Sequence, residues 1–376
     1  MKMKPPNFKK ILFIALVLII LGGIVYLAYV NHKYFKRAMI DQAQQDLLSV
    51  AKSEAQSIAR YIEDIHKELE VLSSGNIVQE NILEKNDMNL HSEYFKSLGD
   101  YYKGLKALAD RIYLVDVNGI VIYRDPFDAD IVGTNISERK DIKEALATHK
   151  SYTSAVFKSI TGDKVVANLY PVFKDGKFIG LLRAVVLLQR VDDLSKHINQ
   201  GKETYSFVID EKGDLLSYPD KKYIGKNIAA AINEKLPNFD LTQFKGIITR
   251  MTHAKEGTAA IGFLSGGVRP EISRTLMAFA PVDIGNNIWS ICVAKDYEAI
   301  SAAISANAKN NIIFALFALL VLLWPVILYF RSERQRYLYE ISTTASNIIN
   351  KQLHLEIQDH KSIEEELRKS VFKPKK

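Results

Sequence analysis

The stretch that decides the fold is residues 113–126, YLVDVNGIVIYRDP. An apolar strand ends in an aspartate, the chain turns through Asn-Gly, and a second strand follows at once. Glycine supplies the positive φ that a tight hairpin turn requires. Residues 207–220, FVIDEKGDLLSYPD, have the same order, with Lys-Gly at the turn. The sequence therefore predicts two β-hairpins of one kind.

Two further pairs of stretches extend this correspondence into an internal repeat. Residues 131–136, IVGTNI, match residues 223–228, YIGKNI. Residues 165–188, VVANLYPVFKDGKFIGLLRAVVLL, match residues 276–295, LMAFAPVDIGNNIWSICVAK, each as strand, proline, polar turn and strand. Three matches in the same order predict two copies of one α/β unit.

The composition is that of a folded protein without disulfides. The chain has 376 residues, of which 48% are hydrophobic and 25% charged, enough for two or more packed cores. Its single cysteine, Cys292, excludes an intramolecular disulfide and a Cys-rich zinc site. We therefore expect the stability to come from packing, and we expect no redox chemistry.

Two uncharged stretches are long enough to cross a bilayer as helices: residues 11–30, ILFIALVLIILGGIVYLAYV, and residues 312–330, IIFALFALLVLLWPVILYF. The first could be a cleaved secretory signal, but it is long for one and no small-x-small cleavage pattern follows. The second could be a buried core helix, but it has no polar face. We therefore predict transmembrane helices at 11–30 and 309–330.

The charge distribution predicts the orientation in the membrane. Residues 1–10 carry four lysines and no acid, and residues 331–376 carry ten Lys or Arg against seven Asp or Glu. These ends account for the whole net charge of +7, so the region between them is neutral and gives no indication of nucleic-acid binding. By the positive-inside rule both termini are cytoplasmic, and residues 31–311 lie outside a plasma (inner) membrane that the chain crosses twice.

Residues 31–75 have the pattern of a long helix that continues from the first span. Apolar residues recur along it at alternating spacings of three and four: Leu48, Ala51, Ala55, Ile58, Ile62, Ile65, Leu69 and Leu72. This seam packs on its own domain, or it also packs on a second copy in a homodimer, and the sequence leaves both open. The residues SSGN at 73–76 predict the end of the helix.

The order of anchor, long helix, two α/β units and anchor resembles the double Cache sensors, which are extracytoplasmic pairs of PAS-like domains in bacterial and archaeal transmembrane receptors. The resemblance covers residues 31–304. It implies an α+β fold, with a long N-terminal helix and two tandem antiparallel-sheet units, flanked by two transmembrane helices and a cytoplasmic coiled-coil helix. It further implies a membrane-distal unit at 76–195 that holds a small-molecule pocket, and a membrane-proximal unit at 196–308 that relays the signal.

In such units the pocket lies between the sheet and the segment that follows the first hairpin, here residues 133–157, GTNISERKDIKEALATHKSYTSAVF. Ser137 can cap a helix in this segment, and Asp141 lies near the positive end of that helix. The resemblance places Arg139 at the start of the helix, where family pockets hold a ligand carboxylate through an arginine. An ordinary surface arginine is the alternative.

Arg183 is a second candidate, because it is a lone cation in the otherwise apolar strand FIGLLRAVVLL. It points into the pocket, reaches solvent at a sheet edge, or pairs with an acid such as Asp125, since an unpaired buried charge is costly. Strand alternation puts it on the face of three apolar residues, Ile179, Leu181 and Val185. Three tyrosines are candidate pocket walls, with core packing as the alternative for each: Tyr123, Tyr152 and Tyr170.

The amino-acid-binding subclass of the family carries an aromatic-x4-Arg-x-Trp pattern and, on a later strand, an aspartate that holds the ligand ammonium. If Arg139 is the arginine of that pattern, a threonine, Thr134, replaces the aromatic residue. Asp141 then replaces the tryptophan, and Val185 stands in place of the aspartate. We therefore expect no amino-acid sensor. Two candidate arginines favour a small anionic ligand such as a carboxylate.

No residue pattern in the sequence indicates an enzyme. There is no P-loop, no Gly-x-Ser-x-Gly and no His-Glu-x-x-His, and the eight histidines are scattered. We expect no catalytic residue, no cofactor and no metal in this chain.

Residues 331–376 are helical again, with coiled-coil spacing at Leu338, Ile341, Ala345, Ile348 and Leu355. This tail resembles the linker that leads into a cytoplasmic PAS or kinase dimerisation domain, yet neither His-Glu-Leu-Arg nor Gly-Gly-Asp-Glu-Phe follows. We predict a dimeric transmembrane receptor whose output is in the first place a histidine kinase and otherwise a diguanylate cyclase. That output belongs to a missing part of a longer protein or to a separate partner. The alternative is a membrane-tethered binding or scaffold protein without signalling output.

Overall fold

The computed structural model describes residues 8–84, 99–159, 161–195, 204–237, 240–264 and 272–371. The chain divides into a central unit, residues 36–304, and a terminal unit formed by the chain up to residue 35 and from residue 305. Parts of four predicted segments lie outside the described residues: the N-terminus (1–7), the membrane-distal unit (85–98 and 160), the membrane-proximal unit (196–203, 238–239 and 265–271) and the tail (372–376).

Helix α1, Phe8–Ser73, contains the first apolar stretch and the predicted seam without a break. In the central unit the buried seam consists of Leu47, Ala51, Ala55, Ile58, Ile62, Ile65, Leu69 and Leu72. Leu48, which the spacing predicted for the seam, is only half-buried, and Leu47 takes its place. The seam therefore packs on its own unit. Helix α2, Asn76–Glu84, begins after the break that SSGN predicted.

The first sheet has six antiparallel strands in the order β2-β1-β6-β5-β3, with β4 also paired to β5. Its strands are β1 (Arg111–Asp116), β2 (Val121–Asp125), β3 (Tyr152–Thr153), β4 (Phe157–Lys158), β5 (Lys164–Lys174) and β6 (Lys177–Leu187). Its helices are α3 (Lys103–Leu108), α4 (Lys140–Thr148) and α5 (Leu188–Leu194). One sheet face packs with the α1 seam, and the other packs on α4.

The second sheet has five antiparallel strands in the order β8-β7-β11-β10-β9. Its strands are β7 (Thr204–Ile209), β8 (Leu215–Ser217), β9 (Gly257–Leu264), β10 (Ile272–Asp283) and β11 (Ile288–Asp296). Its helices are α6 (Ile228–Lys235) and α7 (Thr242–Thr252). Four fully buried aromatic side chains fill its core: Phe207, Phe244, Phe279 and Trp289. The α+β fold with two antiparallel sheets is thus confirmed.

The two predicted hairpins have the same turn. In each, the aspartate that ends the first strand, Asp116 or Asp210, accepts hydrogen bonds of 2.8 and 2.9 Å from two backbone N–H groups of the turn. The turn glycines Gly119 and Gly213 have φ of +80° and +79°, which a side chain would disfavour. The internal repeat is therefore a repeat of structure.

The terminal unit consists of two long helical segments. Helix α8, Glu298–Val371, has 74 residues and contains Pro325. Both α1 and α8 are long and apolar enough to cross a membrane by length and composition. Between them, Asn31 Nδ2 donates a hydrogen bond of 3.1 Å to Asn311 Oδ1. The predicted coiled-coil residues of the tail are exposed: Leu338, Ile341, Ala345, Ile348 and Leu355.

Candidate functional site

A small pocket lies on the face of the first sheet that carries α4, and four arginines line it. They are Arg111, Arg124, Arg139 and Arg183, and the rings of Tyr113 and Phe157 lie among them. The pocket has a volume of about 60 Å³. Pockets for drug-sized ligands begin at about 300 Å³, so this one fits a ligand of a few heavy atoms.

Strand register brings three of the lining residues into one row. Tyr113 in β1 is directly opposite Arg124 in β2 and directly opposite Arg183 in β6. The two guanidinium carbons lie 5.8 and 5.0 Å from the centre of the tyrosine ring. Cations at this distance from an aromatic face are attracted by the ring quadrupole, so Tyr113 holds both arginines in place.

Arg183 is buried and paired with Asp141 of α4. Its Nε and Nη2 donate hydrogen bonds of 3.0 and 2.7 Å to the same carboxylate oxygen, Oδ2. Only 3% of Arg183 and 6% of Asp141 is exposed. Burial lowers the pKa of Arg183 below its ordinary value, and the Asp141 carboxylate opposes that shift. The pair lets one cation stand inside an otherwise apolar strand.

Arg139 occupies the N-cap position of α4, as expected for an arginine at the start of that helix. Its side chain does not cap the helix, and Ser137, predicted as the cap, lies before it. The Arg139 guanidinium lies 4.5 Å from the centre of the Phe157 ring, and its Nε lies 3.5 Å from Asp141 Oδ1. That Nε is buried and has no hydrogen-bond partner among the described residues.

The other two arginines are held by their own acids. Arg111 Nη2 donates a hydrogen bond of 2.6 Å to Asp163 Oδ2. Arg124 Nη1 lies 2.7 Å from Asp128 Oδ2, and its Nε donates to the Tyr113 hydroxyl. Together with the pair described above, three carboxylates face four guanidinium groups at this pocket. Among the described residues, the pocket therefore has one positive charge in excess.

The predicted tyrosines do not line this pocket. Tyr123 lies on the opposite face of the sheet, with its ring 5.5 Å from that of Tyr102 and its hydroxyl donating to Asp125. Tyr152 packs in the apolar cluster beside α4. Tyr170 lines a separate, open depression near the end of α1. Asp141 lies behind the pocket as the partner of Arg183, and not on its wall.

Two further expectations for Arg183 need correction. Its acid is Asp141, whereas Asp125 pairs with Lys106. Strand alternation correctly puts Leu181 on its face, but Ile179 packs on the opposite side. The register between β5 and β6 shifts at this end of the strands, and a shift of one residue moves a side chain to the other face.

Four lining residues were not predicted from the sequence: Arg111, Tyr113, Arg124 and Phe157. A signal for two of them was present in the quoted hairpin. A two-residue Asn-Gly turn predicts Tyr113 opposite Arg124, and the structure has this pair beyond a register shift between Leu114 and Val115. An arginine beside an aromatic residue in a half-apolar hairpin is a candidate for a site by the same reasoning as Arg183.

A sequence model of the Cache domain, in its double form, matches residues 35–304. The ligand-binding domain of the Pseudomonas aeruginosa chemoreceptor PctC, solved with GABA, has a similar fold, with a TM-score of 0.50 and 19% identity over 68% of this chain and 100% of that one. The ligand-binding domain of the Pseudomonas fluorescens chemoreceptor CtaA, solved with L-isoleucine, gives a TM-score of 0.51 and 17% identity over 71% of this chain and 98% of that one.

An extracellular ligand binding receptor from Desulfohalobium retbaense is matched with 15% identity and a TM-score of 0.49 over 66% of this chain, which spans only 40% of that receptor's length. Structural similarity at such low identity shows the fold alone. The match to the family's sequence model covers residues 35–73 of the long helix and both sheets. The chain therefore belongs to the Cache domain family, in its double form.

Proposed function

We propose that this protein is a membrane-anchored receptor whose arginine pocket binds a small anion, a carboxylate of a few heavy atoms. One observation carries the proposal: Arg139 presents a buried Nε without a hydrogen-bond partner among the described residues, at a pocket with one excess positive charge. A buried donor without an acceptor costs about 1–3 kcal/mol, and more when charged. A ligand carboxylate supplies both the acceptor and the missing charge.

The size and lining of the pocket narrow the ligand class further. A carboxylate between the guanidinium groups of Arg139 and Arg183 would have the Phe157 ring beside it, since both stack on that ring at 4.5 and 5.6 Å. The remaining wall includes Ile136 and Val185, which suit a short apolar tail. The volume of about 60 Å³ favours a short-chain monocarboxylate over a larger acid.

The acids at the pocket argue against an amino acid as the ligand. Asp128, Asp141 and Asp163 each hold an arginine. A ligand ammonium would have to take one of these carboxylates from its guanidinium, which would leave a buried cation unpaired. The neighbours solved with GABA and L-isoleucine do not alter this inference, because their similarity extends only to the fold.

We propose the following topology and output. The two apolar helices cross the plasma membrane, both ends of the chain are cytoplasmic, and the central unit is extracytoplasmic. Two copies pair through the tail, whose exposed apolar residues at coiled-coil spacing support a partner helix. Signalling then passes through α8 to a histidine kinase or, failing that, a diguanylate cyclase.

Calorimetry on the full-length chain in lipid nanodiscs tests the ligand proposal. Acetate, propionate, butyrate and lactate are titrated alongside ethylamine, alanine and glucose. We expect a monocarboxylate to bind, and R139Q to weaken that binding at least about tenfold, since a hydrogen bond to a charged group contributes about 1.5–3 kcal/mol. R60Q, at an exposed arginine of α1, is the matched control and keeps wild-type affinity.

Two outcomes contradict the proposal. One is heat from the amine, the amino acid or the sugar while no carboxylate binds. The other is carboxylate binding that R139Q leaves at wild-type strength, which would place the anion elsewhere on the molecule.

A further inference from the structure

A polar cluster joins the turn between β10 and β11 to the edge of the first sheet. Asn286 Oδ1 accepts a hydrogen bond of 2.8 Å from the backbone N–H of Thr153, and Asn286 Nδ2 donates one of 2.8 Å to the Thr153 carbonyl. Asn287 Nδ2 donates to the same carbonyl. Because β3 is an edge strand, the Asn286 amide bonds to Thr153 as a neighbouring strand would.

The side chain of Thr153 extends this cluster to α1 and β5. Its hydroxyl donates a hydrogen bond of 3.0 Å to Asn168 Oδ1 and lies 2.9 Å from His66 Nε2. A hydroxyl that already donates must accept from the imidazole, so His66 carries its proton on Nε2. We call these five residues, His66, Thr153, Asn168, Asn286 and Asn287, the polar junction.

A short segment connects the polar junction with the arginine pocket. Phe157, on which both Arg139 and Arg183 stack, lies four positions after Thr153. Between them, Ser154 is bonded to Ala167 of β5 through its backbone N–H and its hydroxyl. The segment is therefore short, and the bonds of Ser154 hold one side of it to β5. A displacement of the Phe157 ring is therefore transmitted to Thr153, the edge-strand residue to which Asn286 bonds.

The turn between β10 and β11 is also connected, through β11, to the start of α8. The β10–β11 turn opens into β11, and α8 begins two residues after β11 ends at Asp296. β11 pairs with β7 and β10 along its length, so it moves with the sheet and not alone. A displacement of the turn therefore reaches the start of α8 through hydrogen-bonded structure.

We propose that the polar junction is the contact through which occupancy of the arginine pocket reaches the second sheet and the start of α8. The ligand part of this inference rests on the proposed function; the coupling between pocket and sheet does not. An anion that draws in Arg139 changes the packing on Phe157 and moves Thr153. The β10–β11 turn follows, because otherwise it loses three hydrogen bonds to one residue.

Hydrogen exchange on the full-length chain in nanodiscs tests the coupling without any ligand. F157A perturbs the pocket, N286A/N287A breaks the junction, and the readout is the exchange of amides 288–300, beyond the mutated turn. With the junction intact, F157A changes that exchange at least about threefold. In the N286A/N287A background it has no such effect. N233A, at an exposed asparagine of α6, is the matched control and preserves the response.

R139Q serves as a second pocket variant should F157A fail to fold. The inference is overturned if neither F157A nor R139Q changes the exchange of amides 288–300 while the junction is intact. It is also overturned if these variants change that exchange equally in the N286A/N287A background. In a second experiment, a carboxylate that binds wild type must also bind N286A/N287A, but it must no longer alter the exchange of amides 288–300. If no carboxylate binds, the proposed function fails, and the F157A comparison still decides the coupling.

Discussion

At the scale of single residues, the buried pair of Arg183 and Asp141 explains how an apolar strand can carry a cation. Both hydrogen bonds from the guanidinium end on one carboxylate oxygen. The second oxygen, Oδ1, faces Arg139 at 3.5 Å. One acid therefore holds the buried arginine in place, while the Nε of the outer arginine, Arg139, has no hydrogen-bond partner among the described residues.

Replacing Asp141 by asparagine is expected to lower the free energy of unfolding by about 3–5 kcal/mol, because it leaves a buried guanidinium without its counter-charge. Urea unfolding of the full-length protein in detergent, followed by tryptophan fluorescence, measures the loss. D141N/R183M, which removes both charges, should recover a large part of it. E138Q, which removes the charge of an exposed carboxylate near the start of α4, is the control. A D141N variant as stable as E138Q would show that the pair contributes nothing.

His66 is expected to make stability depend on pH. Burial lowers the pKa of His66 below its ordinary value of about 6.5. The unfolded chain then takes up a proton more readily than the folded chain, so stability is complete above about pH 6.5 and falls as the pH drops toward the lowered pKa.

The decrease from this one group is at most about 1.4 kcal/mol per pH unit. Thermal melts of wild type and H66Q across that pH range measure it, with H253Q on the surface as control. H66Q should lose less stability than wild type on acidification. Equal losses in the two proteins would mean that His66 titrates as it does in the unfolded chain.

The sequence around Arg183 predicts that its charge must be compensated, but it does not identify the group that does so. An arginine in an apolar strand requires a partner or solvent, and that much followed from Arg183 alone. The identity of the acid depends on α4 folding back over the sheet, because Asp141 is 42 positions away. The ring and hydroxyl of Tyr123 suit a pocket wall, but the alternation of side chains puts its neighbour Arg124 on the pocket side.

At the scale of elements, the hairpin turns were predictable because glycine and aspartate act through local geometry. The shift in the β5–β6 pairing was not predicted, and Ile179 changed faces as a result, although the adjacent Gly180 is the kind of strand residue that marks a bulge or a close backbone approach. The seam of α1 was predictable from its period. Whether it also meets a second copy is a question about another chain, which spacing alone leaves open.

G119A is expected to destabilise more than G176A, although both glycines have positive φ, +80° and +76°. A Cβ on Gly119 would lie 2.8 Å from the backbone nitrogen of Ser137, whereas nothing lies within 4 Å of one on Gly176. G176A should cost about 1 kcal/mol from strain alone, and G119A a further 1–3 kcal/mol or so from overlap. Urea unfolding compares them, and equal losses would contradict the predicted overlap.

At the scale of the whole molecule, the family and the order of its parts followed from the sequence because they depend on repeats and long apolar stretches. The predicted boundaries at 76–195 and 196–308 remain predictions, since the two sheets and residues 36–73 of the long helix form one compact unit. The ligand class also remains a proposal, because it depends on a few side chains that the fold permits without requiring.

Cysteine scanning of residues 338–355 in membranes separates a dimeric receptor from a membrane-tethered scaffold. We expect oxidative cross-linking to peak at Leu338, Ile341, Ala345 and Ile348, following the coiled-coil period. The native Cys292 gives no background, because it is buried and burial raises the pKa of its thiol. A flat cross-linking profile would favour the scaffold.

Pro325 gives α8 a point of low bending stiffness inside its apolar stretch. Proline has no backbone N–H, so the carbonyl of Val321, one turn earlier, lacks its usual N–H donor within the helix. In hydrocarbon such a carbonyl needs a donor from a neighbouring helix or water. A displacement along the helix axis is transmitted past Pro325, whereas a tilt of one part of the helix bends it at Pro325 and does not reach the other part. If α8 relays the signal as proposed, axial displacement is the motion that it would transmit best.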